Sequence, residues 1–284
     1  LSFTFECDYV APKLYGQDSR FFNDPVFNTG SIFGCHTPAT LDHSDYTISA
    51  ADEFNFQIQT RRPELKLDQA YFCLTSSNGV VPFLTSSLFP FFYTDKRWNL
   101  SVRLRPEGYP FSSIVSGSGD KYILEFSGRN HSSDALDDYF NVTASLDKEL
   151  AESFVSQNKR IYVGANRENF TGSIINRSNA IVSSARFWQS YLTEDELNTH
   201  SMQLDNFGRT NPAVNEFDFE GPYSSVGTPR ASTLSLYWDF SNVTSSSNLG
   251  SFEVIDLTSG SHPGSQKMTR YDKLSGILDV NHPA

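Results

Sequence analysis

Between Phe54 and Gln59 the chain alternates strictly, with Phe54, Phe56 and Ile58 set against Asn55, Gln57 and Gln59, the period of a strand with one face in a core. The same period recurs downstream. Trp98, Leu100, Val102 and Leu104 oppose Asn99, Ser101, Arg103 and Arg105, which predicts a strand with one wet, basic face. Leu1, Phe3 and Phe5 predict a half-buried strand at the start, and Leu236, Trp238 and Phe240 predict another late in the chain. Lys121 to Gly128 and Tyr139 to Leu146 predict two strands separated by the polar connection RNHSSDALDD. The aromatic run from Val80 to Tyr93 is interrupted by Pro82 and Pro90, so it predicts an edge strand or a packed loop.

From Ile161 to His200 three signals meet. A strand-like run ends at Gly164, a second alternating run covers Ala180 to Trp188, and a helix start follows. Thr193 and Glu196 have the spacing of a capping box, and Leu192 and Leu197 stand at the two positions of a hydrophobic staple. The spacing therefore predicts a short helix closing near Gln203. A further helical turn is predicted within Lys148 to Asn158.

Composition agrees with this pattern. The 284 residues include 24 Phe and 13 Tyr but only 2 Met, as expected of an all-β protein rich in turns. The length suits one large domain, or one domain plus part of another. A net charge of −11 repels phosphate backbones and argues against a nucleic-acid role, and no window is apolar enough for a membrane span. Cys7, Cys35 and Cys73 are widely spaced with no C-x-x-C, which favours three free thiols over one disulfide. Six N-x-[ST] sequons occur, at Asn99, Asn130, Asn141, Asn169, Asn176 and Asn242. Beginning at Leu1 rather than Met, the chain reads as a piece of something longer.

The phrases IYVGA at Ile161 to Ala165, ARFWQSYL at Ala185 to Leu192 and LTEDEL at Leu192 to Leu197 follow one another in an order that resembles laminin G-like modules. These belong to the concanavalin A-like lectin and glucanase superfamily. RWNLSVRL around Trp98 is similar to an earlier strand of the same modules. The resemblance implies an antiparallel jelly-roll β-sandwich over residues 1–205, with its core at about 31–204. A Pro/Gly-rich linker is expected over 206–233, where Gly208, Pro212, Gly221, Pro222, Gly227 and Pro229 cluster. LSFTF and LYWDF match at an offset of 235 residues, so 234–284 reads as the start of a second, incomplete β unit. That joint is similar to those between tandem modules of bacteriophage virion proteins. The resemblance thus implies a non-enzymatic structural and adhesion module on the virion surface, partnered by other virion proteins, further copies of itself or host-surface glycans. A eukaryotic extracellular laminin G-like adhesion module is the reading the sequons would favour.

Candidate chemistry is sparse. Tyr93, Tyr109, Tyr139 and Tyr191 lie in or near loops and are candidate platforms for stacking on sugar rings. No cofactor is indicated, although the resemblance allows a calcium ion at the sandwich rim, with Asp95, Asp120, Asp134 and Asp137 as candidate ligands. Glu216, Asp218 and Glu220 in NEFDFEG resemble the E-x-D-x-E strand of family 16 glycoside hydrolases, in which two carboxyls about 5 Å apart act as nucleophile and general acid. An enzyme of that type acting on β-glucans is the alternative reading. Its position after the closing helix and between Pro212 and Pro222 favours a linker instead. The six histidines show no metal-ligand spacing, and no G-x-S-x-G phrase is present.

Overall fold

The computed structural model describes residues 2–11, 29–38, 53–63, 68–76, 81–109, 121–132, 135–156, 159–167, 174–175, 181–202, 233–246 and 252–256. In chain order the strands are β1 (Phe3–Val10), β2 (Thr29–Pro38), β3 (Glu53–Arg61), β4 (Tyr71–Thr75), β5 (Leu84–Thr85), β6 (Arg97–Pro106), β7 (Lys121–Ser132) and β8 (Ala135–Asp147). Helix α1 (Lys148–Ser156) follows, then β9 (Arg160–Val163), β10 (Asn166–Arg167), β11 (Ile174–Ile175) and β12 (Ile181–Trp188). Helix α2 (Glu194–Met202), β13 (Leu234–Ser246) and β14 (Phe252–Asp256) complete the order.

The strands form a seven-stranded sheet, β14-β13-β12-β1-β6-β7-β8, a five-stranded sheet, β5-β4-β3-β2-β9, and a two-stranded ribbon, β10-β11, all antiparallel. The chain crosses between the sheets repeatedly, as a jelly-roll sandwich requires. Inward-facing residues meet in an aromatic core: Phe5 stacks on Phe33 with centroids 4.4 Å apart, and Phe72 lies edge-on to Trp98 at 4.9 Å. The predicted stripe of Phe56 and Ile58 is part of this core.

Gly128 on β7 shows how closely the sandwich is packed. A Cβ there would stand 2.4 Å from Cε1 of Phe140 and 2.8 Å from Cδ2 of Leu100, both on core side chains. Gly128→Ala is expected to cost about 1–3 kcal/mol through overpacking, read as a lower urea midpoint at an unchanged slope.

Several sequence expectations change. The strand at β1 is not half-buried: it sits between β12 and β6, and Thr4, Glu6 and Asp8 on its polar side are as buried as Phe3 and Phe5. The basic face of β6 is not wet either, since Asn99, Ser101 and Arg103 are buried under α2 and its approach. RNHSSDALDD is mostly strand, because β7 runs on to Ser132 and β8 begins at Ala135; its polar side chains belong to a hairpin at the end of a sheet. Leu234–Ser246, expected to open a second unit, pairs with β12 and places Leu236 and Trp238 in the same core as Phe5. The match of LSFTF to LYWDF has a physical origin here, because β1 and β13 flank β12 on either side and face one core. Apart from Thr233, the predicted linker lies outside the described residues. The three cysteines are free and buried.

Helix α2 forms where the capping box was read. Glu196 Oε2 accepts from the Thr193 amide at 2.6 Å, and Thr193 Oγ1 accepts from the Glu196 amide at 3.3 Å. Leu192 and Leu197 pack with Trp188 in a small second cluster that holds the helix on the outer face of the seven-stranded sheet.

Candidate functional site

On that outer face the cross-strand register aligns polar residues in three rows. One runs Trp188, Thr4, Arg103, Glu125, Thr143; the next Arg186, Glu6, Ser101, Ser127, Asn141; the third Ser184, Asp8, Asn99, Arg129, Tyr139. Directly opposite residues in an antiparallel pair have Cβ atoms roughly 5 Å apart, so opposite charges placed there can pair.

They do. Arg186 reaches Asp8 at 2.5 Å and Glu6 at 3.2 Å, Ser184 Oγ donates to Asp8 at 2.6 Å, and Trp188 Nε1 donates to Glu6 at 3.0 Å. Nδ1 of His200 on α2 lies 3.0 Å from the same Glu6 oxygen. Towards the far edge, Arg103 pairs with Glu125 at 2.8 Å and with Glu194 at 2.5 Å, Arg105 pairs with Glu125 at 2.8 Å, and Arg129 pairs with Glu194. Glu6, Asp8, Glu125 and Glu194 thus meet Arg103, Arg105, Arg129 and Arg186, four charges against four. Burying ions is costly unless each is paired and hydrogen-bonded; every ion of this layer has an oppositely charged partner, while Nε of Arg103 and Nη1 of Arg129 are buried without a hydrogen bond. Burial alone would raise the carboxyl of Glu6, but Arg186, His200 and Trp188 more than offset it and hold the group at about 2.

The layer surfaces at the N-terminal end of α2. The Glu194 side chain is 40% exposed, and besides its two arginines its Oε1 accepts from Asn141 Nδ2 at 3.1 Å and from the Tyr139 hydroxyl at 3.2 Å. Tyr139 is 44% exposed, and the Arg129 guanidinium lies 5.6 Å from its ring centroid. Burial, then the neighbouring Glu194 carboxylate, raises the Tyr139 phenol, so the hydroxyl stays a donor. The result is a presented aromatic ring beside a fixed carboxylate and an exposed carboxamide. Asn141 spends one N–H on Glu194 and keeps its Oδ1 for an incoming donor.

Of the four tyrosines singled out in the sequence, Tyr139 alone is exposed at this rim. Tyr191 is buried beneath it, donating to Glu125 at 3.0 Å and covered by Tyr109 with centroids 6.4 Å apart. Tyr93 belongs to the core, where burial pushes its phenol up to about 12, and it cannot act as a platform. Asp137 is exposed, accepts a hydrogen bond from Ser132 and lies 3.7 Å from Lys96; Asp95 is exposed in a turn at φ 59°. Asp120, Asp134, Glu216, Asp218 and Glu220 lie outside the described residues. Among the described residues no three His, Cys, Asp or Glu side chains gather as a metal site. The sequon residues Asn99 and Asn130 are buried and cannot carry a glycan in the folded protein, whereas Asn141 is exposed.

Sequence reasoning missed Glu194, Arg129 and the whole Glu6–Arg186–His200 cluster. The available signal was the polar parity of FTFECDY, where two carboxylates alternate with aromatics, set against the arginines of RWNLSVRLR and ARFW.

Fold and site define a jelly-roll β-sandwich whose outer face carries a buried, charge-balanced layer under a capped helix. Among solved structures it is similar to the native heptameric SAP-like pentraxin from Limulus polyphemus, at a TM-score of 0.36 and 11% sequence identity over 70% of this chain and 69% of that one. No protein-family model matches the chain, and no curated protein sequence matches it.

Proposed function

We propose that this chain is a non-enzymatic adhesion module that binds glycans at the rim formed by Tyr139, Asn141 and Glu194. The observation that carries the reading is the half-exposed Tyr139 ring, backed by Arg129 and tied through its hydroxyl to a carboxylate that two arginines hold in place. A sugar ring needs an apolar face to stack on and fixed polar groups beside it for its hydroxyls, and binding sites built in advance avoid the ordering cost of assembling them. Glu194 and Asn141 supply the acceptor and donor atoms.

The test is a glycan array followed by titration calorimetry on the strongest hit. Tyr139→Ala is expected to weaken binding at least about 10-fold, the usual effect of removing a central aromatic contact, with the melting temperature little changed because the ring is on the surface. An array without hits, or a hit that Tyr139→Ala binds equally well, overturns the reading. On the virion-like phrases of the sequence the same proposal places the module on the outside of a phage particle, where antibody against the chain would label intact particles in electron micrographs.

A further inference from the structure

β8 ends the seven-stranded sheet, and among the described residues it pairs with β7 alone. Such an edge offers a row of backbone N–H and C=O groups, and proteins that keep an edge single protect it with prolines, lysines, bulges or short length. The edge of the five-stranded sheet at β5 has such protection: the strand is two residues long and lies between Pro82 and Pro90. β8 has one such device, a bulge at Asp137 where its register with β7 shifts, and is regular from Asp138 onward. It is 13 residues long, ALDDYFNVTASLD, with no Pro, Gly, Lys or Arg and with the aromatic and β-branched residues Tyr139, Phe140, Val142 and Thr143 at its middle.

We propose that β8 pairs antiparallel with β8 of a second copy of this chain, about a two-fold axis at Asn141, joining the two seven-stranded sheets into one. Self-complementarity selects this register. Centred on Asn141, the regular part of the strand is self-complementary: Asp138 faces Ala144, Tyr139 faces Thr143 and Phe140 faces Val142, and the bulged Asp137 comes opposite Ser145. No like charges meet, and aromatic–β-branched pairs are among the favourable cross-strand contacts. Moving the axis one residue to Val142 sets Asp137 against Asp147 and is disfavoured; moving it to Phe140 leaves Leu146 and Asp147 unpaired. A ladder of this length adds about a dozen backbone hydrogen bonds.

The full chain is expected to run as a dimer in light scattering coupled to size exclusion. Asn141→Cys places two thiols across the axis and is expected to form a covalent dimer on mild oxidation, while Ser145→Cys, which faces Asp137 of the other copy, is not. Ser145→Asp opposes two Asp137 carboxylates per dimer and is expected to raise the dimer dissociation constant about 5-fold, whereas Ser145→Lys leaves it unchanged or lowers it. Ser145 is exposed on the sheet face, so melting curves of both variants check that each is folded. A monomer at about 100 µM overturns the proposal, since that excludes even a weak complex. So does a dimer indifferent to the charge at 145, or one that links through Ser145→Cys rather than Asn141→Cys.

Discussion

Arg186→Leu is expected to lower the unfolding free energy by about 3–5 kcal/mol, the cost of removing one partner from a buried ion cluster. Arg186 lies between Glu6 and Asp8 on β1, and all three side chains are fully buried. Leucine fills much of the same volume, so the loss comes chiefly from two carboxylates left without a guanidinium rather than from a cavity. His200 and Trp188 still reach Glu6, and Ser184 and Asn99 still reach Asp8, but those groups cannot replace the full charge. Equilibrium urea unfolding followed by tryptophan fluorescence measures the change, and Trp188 reports directly on this layer. A loss under about 1 kcal/mol would mean that water or a neighbouring cation reaches the carboxylates, and that the layer is not dry.

The contrast between Arg186 and the core strands shows what a period-two pattern conveys and what it omits. Phe56 and Ile58 on β3, and Trp98, Leu100 and Val102 on β6, were legible because apolar parity states which face meets the core. The capping box at Thr193 and Glu196 was legible because both ends of that interaction lie within one turn. Polar parity carries no such information: Asn99, Ser101 and Arg103 read as solvent-facing, and whether something lies over them is decided by α2, which enters about 90 residues later. The partners that make burial tolerable are more distant still, with Asp8 and Arg186 separated by 178 positions and Glu6 and His200 by 194. Only the fold brings them together. The rim was legible in part for a similar reason. Tyr139 can be picked out as an aromatic on a polar stretch, but nothing in the sequence separates Glu194 from an ordinary first-turn acidic residue, because Arg103 and Arg129 meet it only in the fold. Tyr93 and Tyr191 show the converse, because a tyrosine near a loop in the sequence can still lie inside the sandwich or beneath another ring.

The same cluster makes stability fall in acid through a definable window. Glu6 sits at about 2 in the folded chain against 4.5 for the ordinary carboxyl, so between these values the unfolded chain binds more protons than the folded one. Stability therefore rises with pH across that interval. The contribution of Glu6 is complete above about pH 5 and is lost as pH falls from about 4.5 towards 2, where Glu6 takes up its proton and its pairing with Arg186 and His200 weakens. A displacement of this size corresponds to about 3 kcal/mol, since each pH unit is worth 1.36 kcal/mol per proton. Burial pushes the other way and is already included in the value at which Glu6 settles. The measurement is the urea midpoint from pH 7 to pH 2 for the parent chain and for Glu6→Gln. The variant keeps the shape of the side chain but cannot titrate, so it is expected to be less stable at pH 7 and to close most of that gap by pH 2. Parallel curves for the two proteins would mean that Glu6 is not the group responsible for the acid limb.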